Sequence, residues 1–373
     1  MKPQQSIQMF IKEKKNFYDN IVDYLENIDG IQGEYCYNLE EIINIQKIEG
    51  NREDIFQILQ ILKNIADNHH RVPSFIEKIN KIILSFKDQV QQTFSNKEIF
   101  DIFQTNKMIL LFLLENKIVI LSEEIIIEMK DKIDPNGTRF CHFFYPEIKC
   151  FIGEESSKEI KEEIIKIDSN AFDNFDIKRK EGENDSYICC LIRDDSVEEF
   201  IAYVNRKNIS LTSEIEHSIF ETNCLLMEND NVSLIEYCAF FGSIQIFQYL
   251  FLNNVELTSS LWIYAIHSEN AELIHLLEYN KVDPPNNNYE LCLIESIKCH
   301  HNKIAEYFKN NYMNEKENKD EIRSNILRYY NYAYFPTEFS GENDFFNLCS
   351  NSYHTIVNLL LKDKKHEIEE TIV

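Results

Sequence analysis

Cys292, Cys299, His300 and His301 are the residue types that hold a soft or borderline cation. On a helix, positions i, i+7 and i+8 share a face, so Cys292, Cys299 and His300 can converge. Structural zinc sites, however, space cysteines two to four residues apart, and no such pair occurs here. Cysteine also fills small core positions of helices, so packing is the expected role. His69-His70 precedes Pro73 at a helix end, where a cation suits the C-terminal dipole, and no acidic or thiol ligand flanks it at fixed spacing. Cys189-Cys190 sits in an apolar run without Cys-x-x-Cys spacing and is also expected in the core.

Carboxylates pair at Glu154-Glu155, Glu162-Glu163 and Asp194-Asp195. Neighbours on a helix point about 100° apart and do not converge, so these read as solvated faces. Asp194-Asp195-Ser196 is expected to cap a helix starting near Val197, with Glu198-Glu199 in its first turn. The sequence has no Gly-x-Ser-x-Gly, phosphate loop, Gly-x-Gly-x-x-Gly or His-Glu-x-x-His, and 8 glycines leave little from which to build a phosphate cradle. Trp262 falls at a core-facing position. No catalytic residue, no cofactor and no metal ligand is assigned, and the chain reads as not an enzyme.

The elements behind these residues are helices. Ile7, Phe10, Ile11, Phe17, Ile21, Tyr24 and Leu25 keep helical spacing, with Gly30-Ile31-Gln32-Gly33 as the stop. Ile55, Ile58, Leu59, Leu62 and Ile65 form a second stripe, and Pro73 opens a third through Phe75, Ile76, Ile79, Ile83 and Phe86. With 8 Gly and 7 Pro in 373 residues, an all-β protein is excluded.

From Ser233 to Asn311 one pattern repeats. Leu273-Ile274 and Leu276-Leu277 follow Ile246-Phe247 and Tyr249-Leu250 after 27 residues, and Ile304-Ala305 follows Leu273-Ile274 after 31. Asn106 to Leu114 matches Gly242 to Leu250, 136 residues on, without a gap, and Val119-Ile120-Leu121-Ser122 falls at Val255-Glu256-Leu257-Thr258. Ile209-Ser210-Leu211-Thr212 is a further copy of that turn. Between the copies, Phe143-Phe144-Tyr145-Pro146 is expected to be extended before the proline, Glu154 to Asp176 helical, and Lys178 to Asp185 a charged loop. Near the end, Asn311 to Glu321 reads as a linker, Ile322 to Phe335 as a Tyr-rich helix, and Phe345 to Leu361 as one more pair before a charged tail. Recurring helix pairs of this period form arrays that present a long binding surface.

Cys238-Ala239-Phe240-Phe241-Gly242-Ser243-Ile244-Gln245-Ile246-Phe247 resembles the ankyrin core Ala-Ala-x-x-Gly-His-x-x-Val-Val, with Asn254-Val255 where ankyrins have Gly-Ala. The opening Thr-Pro-Leu-His is missing, Gly242 becomes Glu269 and His300 in later copies, and the spacings fall short of 33. With Phe143 to Lys149, Ser218 to Asn223 and Ser296 to Asn302, the chain resembles the protist ankyrin-like proteins that carry a domain of unknown function in place of a regular array. The resemblance implies an all-α, ankyrin-like solenoid and no assigned activity. On it, 1–94 is an N-terminal helical cap or domain, 95–130 a divergent repeat, 131–186 an acidic and aromatic insertion, 187–311 the repeats, and 312–373 a linker, a helix and a last partial repeat.

Lys and Arg number 38 against 63 Asp and Glu, a formal charge of −25. Such a surface repels phosphate, which argues against nucleic acid and anionic membranes. No apolar leader or membrane-length run occurs, and ten cysteines are expected as free thiols of a cytoplasmic protein. The expected function is a non-catalytic scaffold for a basic protein partner, bound at the turn residues Asn208, Asn254, Glu256, Asn280 and Asp283. The alternatives are a metal-binding or hydrolytic enzyme with an unrecognised site, and an array that self-associates end to end.

Overall fold

A computed structural model of the chain describes residues 3–26, 51–71, 74–135, 137–229, 231–313, 319–339 and 341–362. The Gly30–Gly33 stop, the helix-opening Pro73 and the charged tail lie outside them. The described residues are helical, with two isolated bridges, Ile133 to Arg139 and Glu214 to Ser233, in place of strands. None of the described helices is long and apolar enough to cross a membrane. The chain forms two units, 95–288 and a second in which 289–373 joins 1–94.

In the second of these units, helix Pro3–Glu26 buries Ile7, Ile11, Phe17, Ile21 and Leu25. It also buries Tyr18, which an apolar stripe does not flag. Asn51 caps helix Arg52–Asn68 by accepting from the Glu53 N–H, and Ile55, Ile58, Leu59, Leu62 and Ile65 are buried. Helix Phe75–Ser85 follows, broken at Phe86 before helix Lys87–Thr93.

The C-terminal part contributes helices Glu290–Lys298, Asn302–Tyr312, Lys319–Arg328 and Glu342–Ser350, and a last helix over 354–362. Polar side chains join the two parts. The Tyr18 hydroxyl lies 2.9 Å from His300 Nδ1 and accepts from Asn302 at 3.2 Å. Tyr332 donates to Gln57, and Glu53 accepts from the Thr355 N–H and hydroxyl at 2.9 and 2.8 Å. The Tyr-rich helix ends at Arg328 and does not run to Phe335. Tyr330 turns left-handed (φ 55°), and the buried Asn331 amide donates to Ile297 O and Asn302, trading helix for tertiary hydrogen bonds.

In 95–288, three helix pairs stand side by side: Tyr187–Arg193 with Val197–Lys207, Leu234–Phe241 with Ile244–Leu252, and Leu261–His267 with Ala271–Tyr279. The first helices of each pair pack in series, and Val197–Lys207 packs on Ile244–Leu252. Trp262 is fully buried among them. Helices Asn96–Phe103 and Lys107–Glu115 form an earlier pair. It matches the later pair at an offset of 137 residues, not the expected 136, because the N-caps are Asn106 and Ser243 and the left-handed outer-turn residues Lys117 and Asn254.

Residues 131–186 are helical where an extended segment and a loop were expected. Phe140–Phe143 and Tyr145–Ile148 are short helices, with Pro146 in the first turn, where its missing N–H has no intrahelical partner to lose. Lys178 to Glu181 belong to helix Phe175–Glu181, stopped by Gly182 at φ 70°. The Gly182 carbonyl accepts from the Thr222 N–H and hydroxyl at 3.1 and 2.6 Å. Glu221 accepts from Asn184 N, Thr222 N and Asn223 N, so Glu221-Thr222-Asn223 serves as a buried hydrogen-bonding hub. Close by, Lys107 meets Asp134 at 2.7 Å with both side chains almost wholly buried, and Thr138 donates to Asp134.

Candidate binding surface at the turns of the helix pairs

Left-handed residues recur at fixed places in the turns of the helix pairs. Asp195, Gly242, Glu269 and His300 make the inner turns with φ of 48°, 72°, 53° and 61°. Lys117, Asn208, Asn254 and Lys281 make the outer ones with φ of 54°, 53°, 63° and 54°. The N–H of the next residue reaches back five residues, from Ile118, Ile209, Val255 and Val282 to Leu113, Val204, Leu250 and Leu277, at 2.8, 2.9, 3.1 and 3.0 Å. This satisfies a terminal helix carbonyl and tucks an apolar residue under the helix end. The same left-handed conformation recurs although glycine occupies it once, at Gly242.

The outer turns after Leu252 and Tyr279 face each other across a groove of about 490 Å³, which continues into one of about 480 Å³. Asn254, Glu256, Asn280 and Asp283 line it, all exposed, over the apolar Leu257, Val282 and Pro284. Trp262 Nε1 donates to the Val282 carbonyl at 3.1 Å and ties the far wall to the core. Four of the five expected contact residues therefore share one groove, and Asn208, at the end of helix Val197–Lys207, does not line it. Lys281, a groove residue not foreseen from the sequence, is the left-handed residue of its turn.

The other chemistry-bearing residues are mostly held in packing. Burial pushes the thiols of Cys141, Cys189 and Cys292 up to about 11, 12 and 12, which keeps them protonated and poorly nucleophilic. Burial, with His69 nearby, pushes His300 down to about 3, so that ring stays neutral beside Tyr18. His301 instead lies against His69, ring centroids 4.5 Å apart, so the adjacent histidines serve different neighbours. His142 Nε2 is 2.9 Å from Glu163, which Arg139 grips at 2.9 and 2.7 Å. Burial lowers the His142 pKa. Burial opposes ionisation of Glu163, but the His142 hydrogen bond and the Arg139 charge outweigh it and hold the carboxyl below its ordinary range. An imidazole bonded to an Arg-bound carboxylate clamps helix Glu154–Ile167 onto Phe140–Phe143.

The helix starts at Val197 with Glu198 and Glu199 in its first turn, as expected, but no side chain of Asp194-Asp195-Ser196 bonds to its N–H groups. The N-cap there is Ser196, without a side-chain bond, and the Asp195 carboxylate accepts from Gln245 N and Ile246 N in the next pair.

Compared with protein-family models, curated proteins and solved structures, the chain finds no match.

Proposed function

We propose that the chain is a non-catalytic protein-binding scaffold whose helix pairs form an ankyrin-like array, and that a basic segment of its partner docks at the outer turns. The observation that carries this reading is the groove between the two outer turns, where exposed amide and carboxylate groups of Asn254, Glu256, Asn280 and Asp283 rim an apolar floor. An apolar base with a polar rim is the anatomy of a contact patch, and the side chains there vary without touching the core. Two carboxylates within a chain of charge −25 favour a cationic partner and a fast, salt-dependent encounter. The array itself is supported by the recurring left-handed turns and the serial packing of first helices.

The test is affinity capture from lysate at low and high salt, with wild type, Glu256→Lys/Asp283→Lys and Asn208→Lys. The reading expects a partner that wild type and Asn208→Lys retain at low salt and that the double variant loses. A partner held equally by all three, or indifferent to salt, would overturn the groove as the docking place.

A further inference from the structure

In 95–288, the chain runs on from each outer turn as a short segment without helix, and two of these segments have backbone groups satisfied within the chain. After Lys117, the Ile120 N–H donates to the side-chain oxygen of Asn96 at 2.7 Å, and the Ile120 carbonyl accepts from the Asn96 amide. After Asn208, Leu234 N–H donates to Ser213 O at 3.0 Å and Ile215 N–H to Val232 O at 2.8 Å. At Ile120 a carboxamide stands in for a peptide group. The two-point bond it makes is the one that a residue exchanges with its neighbour across an antiparallel strand pair.

The two segments that wall the groove, after Asn254 and after Lys281, differ. The offset of 137 residues places Leu257 where Ile120 stands. Among the described residues, none hydrogen-bonds to the backbone N–H or carbonyl of Leu257, of Glu256 beside it, or of Asp283 in the facing wall. Leu257 is half-buried and lines both parts of the groove. Unpaired backbone donors and acceptors along a non-helical segment are a template for an incoming strand. Glu256 and Asp283 set two carboxylates against one cation, Lys281, so the groove favours a positive occupant.

We propose that the groove takes an extended basic peptide segment of the partner protein, which pairs with both backbone groups of Leu257 as Asn96 does with those of Ile120. This rests on the groove being the docking place, and adds the form in which the segment binds. Backbone pairing supplies affinity whatever the sequence, and an arginine or lysine of the segment answers Glu256 and Asp283. A partner that presents a helix has its backbone donors already used and makes no such bonds.

The single tryptophan is a built-in probe, since Trp262 Nε1 donates to the Val282 carbonyl in the groove wall. The experiment follows the Trp262 indole resonance of the isotope-labelled full chain as capped hexapeptides are added, drawn from a positional library with arginine fixed at one place. The tightest peptide is then remade with N-methyl groups on alternate residues, in both registers, which removes backbone donors and keeps every side chain. We expect the indole signal to shift, one N-methylated register to bind roughly tenfold or more weakly than the parent, and Glu256→Lys/Asp283→Lys to abolish the shift. A library that leaves the indole signal unmoved, or N-methylated peptides that bind as the parent does in both registers, would overturn the proposal. A lysate partner that the double variant loses, found together with such N-methyl indifference, would keep the groove and discard the extended mode, so the two readings fail separately.

Discussion

The carboxylate of Asp195 accepts the backbone N–H of Ile246 at 2.9 Å, across from one helix pair to the next. The same carboxylate takes Gln245 N at 3.0 Å, so both bonds satisfy donors at the start of helix Ile244–Leu252. Parallel stitches join the same pairs and the next. Ser243 Oγ donates to Ile192 O at 2.5 Å, and Ser260 Oγ to Glu236 at 2.5 Å. Each pair is thus capped by its neighbour, which couples their stability.

Asp195→Ala should therefore destabilise the chain by about 1–2 kcal/mol, the cost of losing an N-cap, through a helix in which the residue does not lie. Asp195→Asn keeps an acceptor and tolerates φ 48°, and should cost less. Urea midpoints of the three proteins check this, and equal loss in both variants would point to the charge instead of the acceptor.

Left-handed turns give opposite signs at two positions. Lys281→Gly should stabilise by about 0.5–1 kcal/mol, because φ 54° strains a residue with a Cβ. Gly242→Ala should destabilise by about 1–2 kcal/mol, since φ is 72° and the new Cβ would lie 3.2 Å from Asn270 Nδ2. Thermal melts at one pH decide it.

Lys107 and Asp134 form a buried ion pair that also accommodates Thr138 and the face of Phe143. Lys107→Met leaves the carboxylate without its cation and should cost about 3–5 kcal/mol. Lys107→Met/Asp134→Asn should recover a good part of that. A double-mutant cycle read by denaturant unfolding measures the coupling, and additivity would contradict it.

Stability should fall with acid in two steps. His142, facing Glu163, Arg139 and Asp134, has a folded pKa below its ordinary 6.5, so the unfolded chain binds a proton first as pH drops through that value. Glu163 has a folded pKa below 4.5, so its contribution, full above that value, is lost as pH falls further. His142→Asn should remove the upper step and weaken the lower, which then rests on Arg139. Tm measured from pH 8 to pH 2.5 in both proteins checks the order.

Helical periodicity alone located the stripes of the N-terminal helices, because burying one face of a helix requires apolar residues at that spacing. The buried set Ile55, Ile58, Leu59, Leu62 and Ile65 is the plainest instance. The spacing of Asn208 and Asn254 likewise marked two outer turns, since asparagine tolerates the left-handed conformation. Glu269 and His300 hold that conformation at the places aligned with Gly242, though their residue types do not favour it, and Lys281 holds it with no such alignment, because packing fixes the helix ends around them.

Local pattern also misread Tyr145-Pro146 and Asp195, whose partners come from other elements. Tyr18 and His300 lie 282 residues apart and meet within hydrogen-bonding distance. His69 likewise meets Glu26 at 3.5 Å and the ring of His301 at 4.5 Å between centroids, partners far from it in sequence. The sequence by itself determined which surfaces must be hidden, through the cost of exposing apolar side chains. Only the tertiary structure decided which polar groups meet once they are hidden, because a buried donor or lone pair takes its partner from whatever segment packing brings beside it.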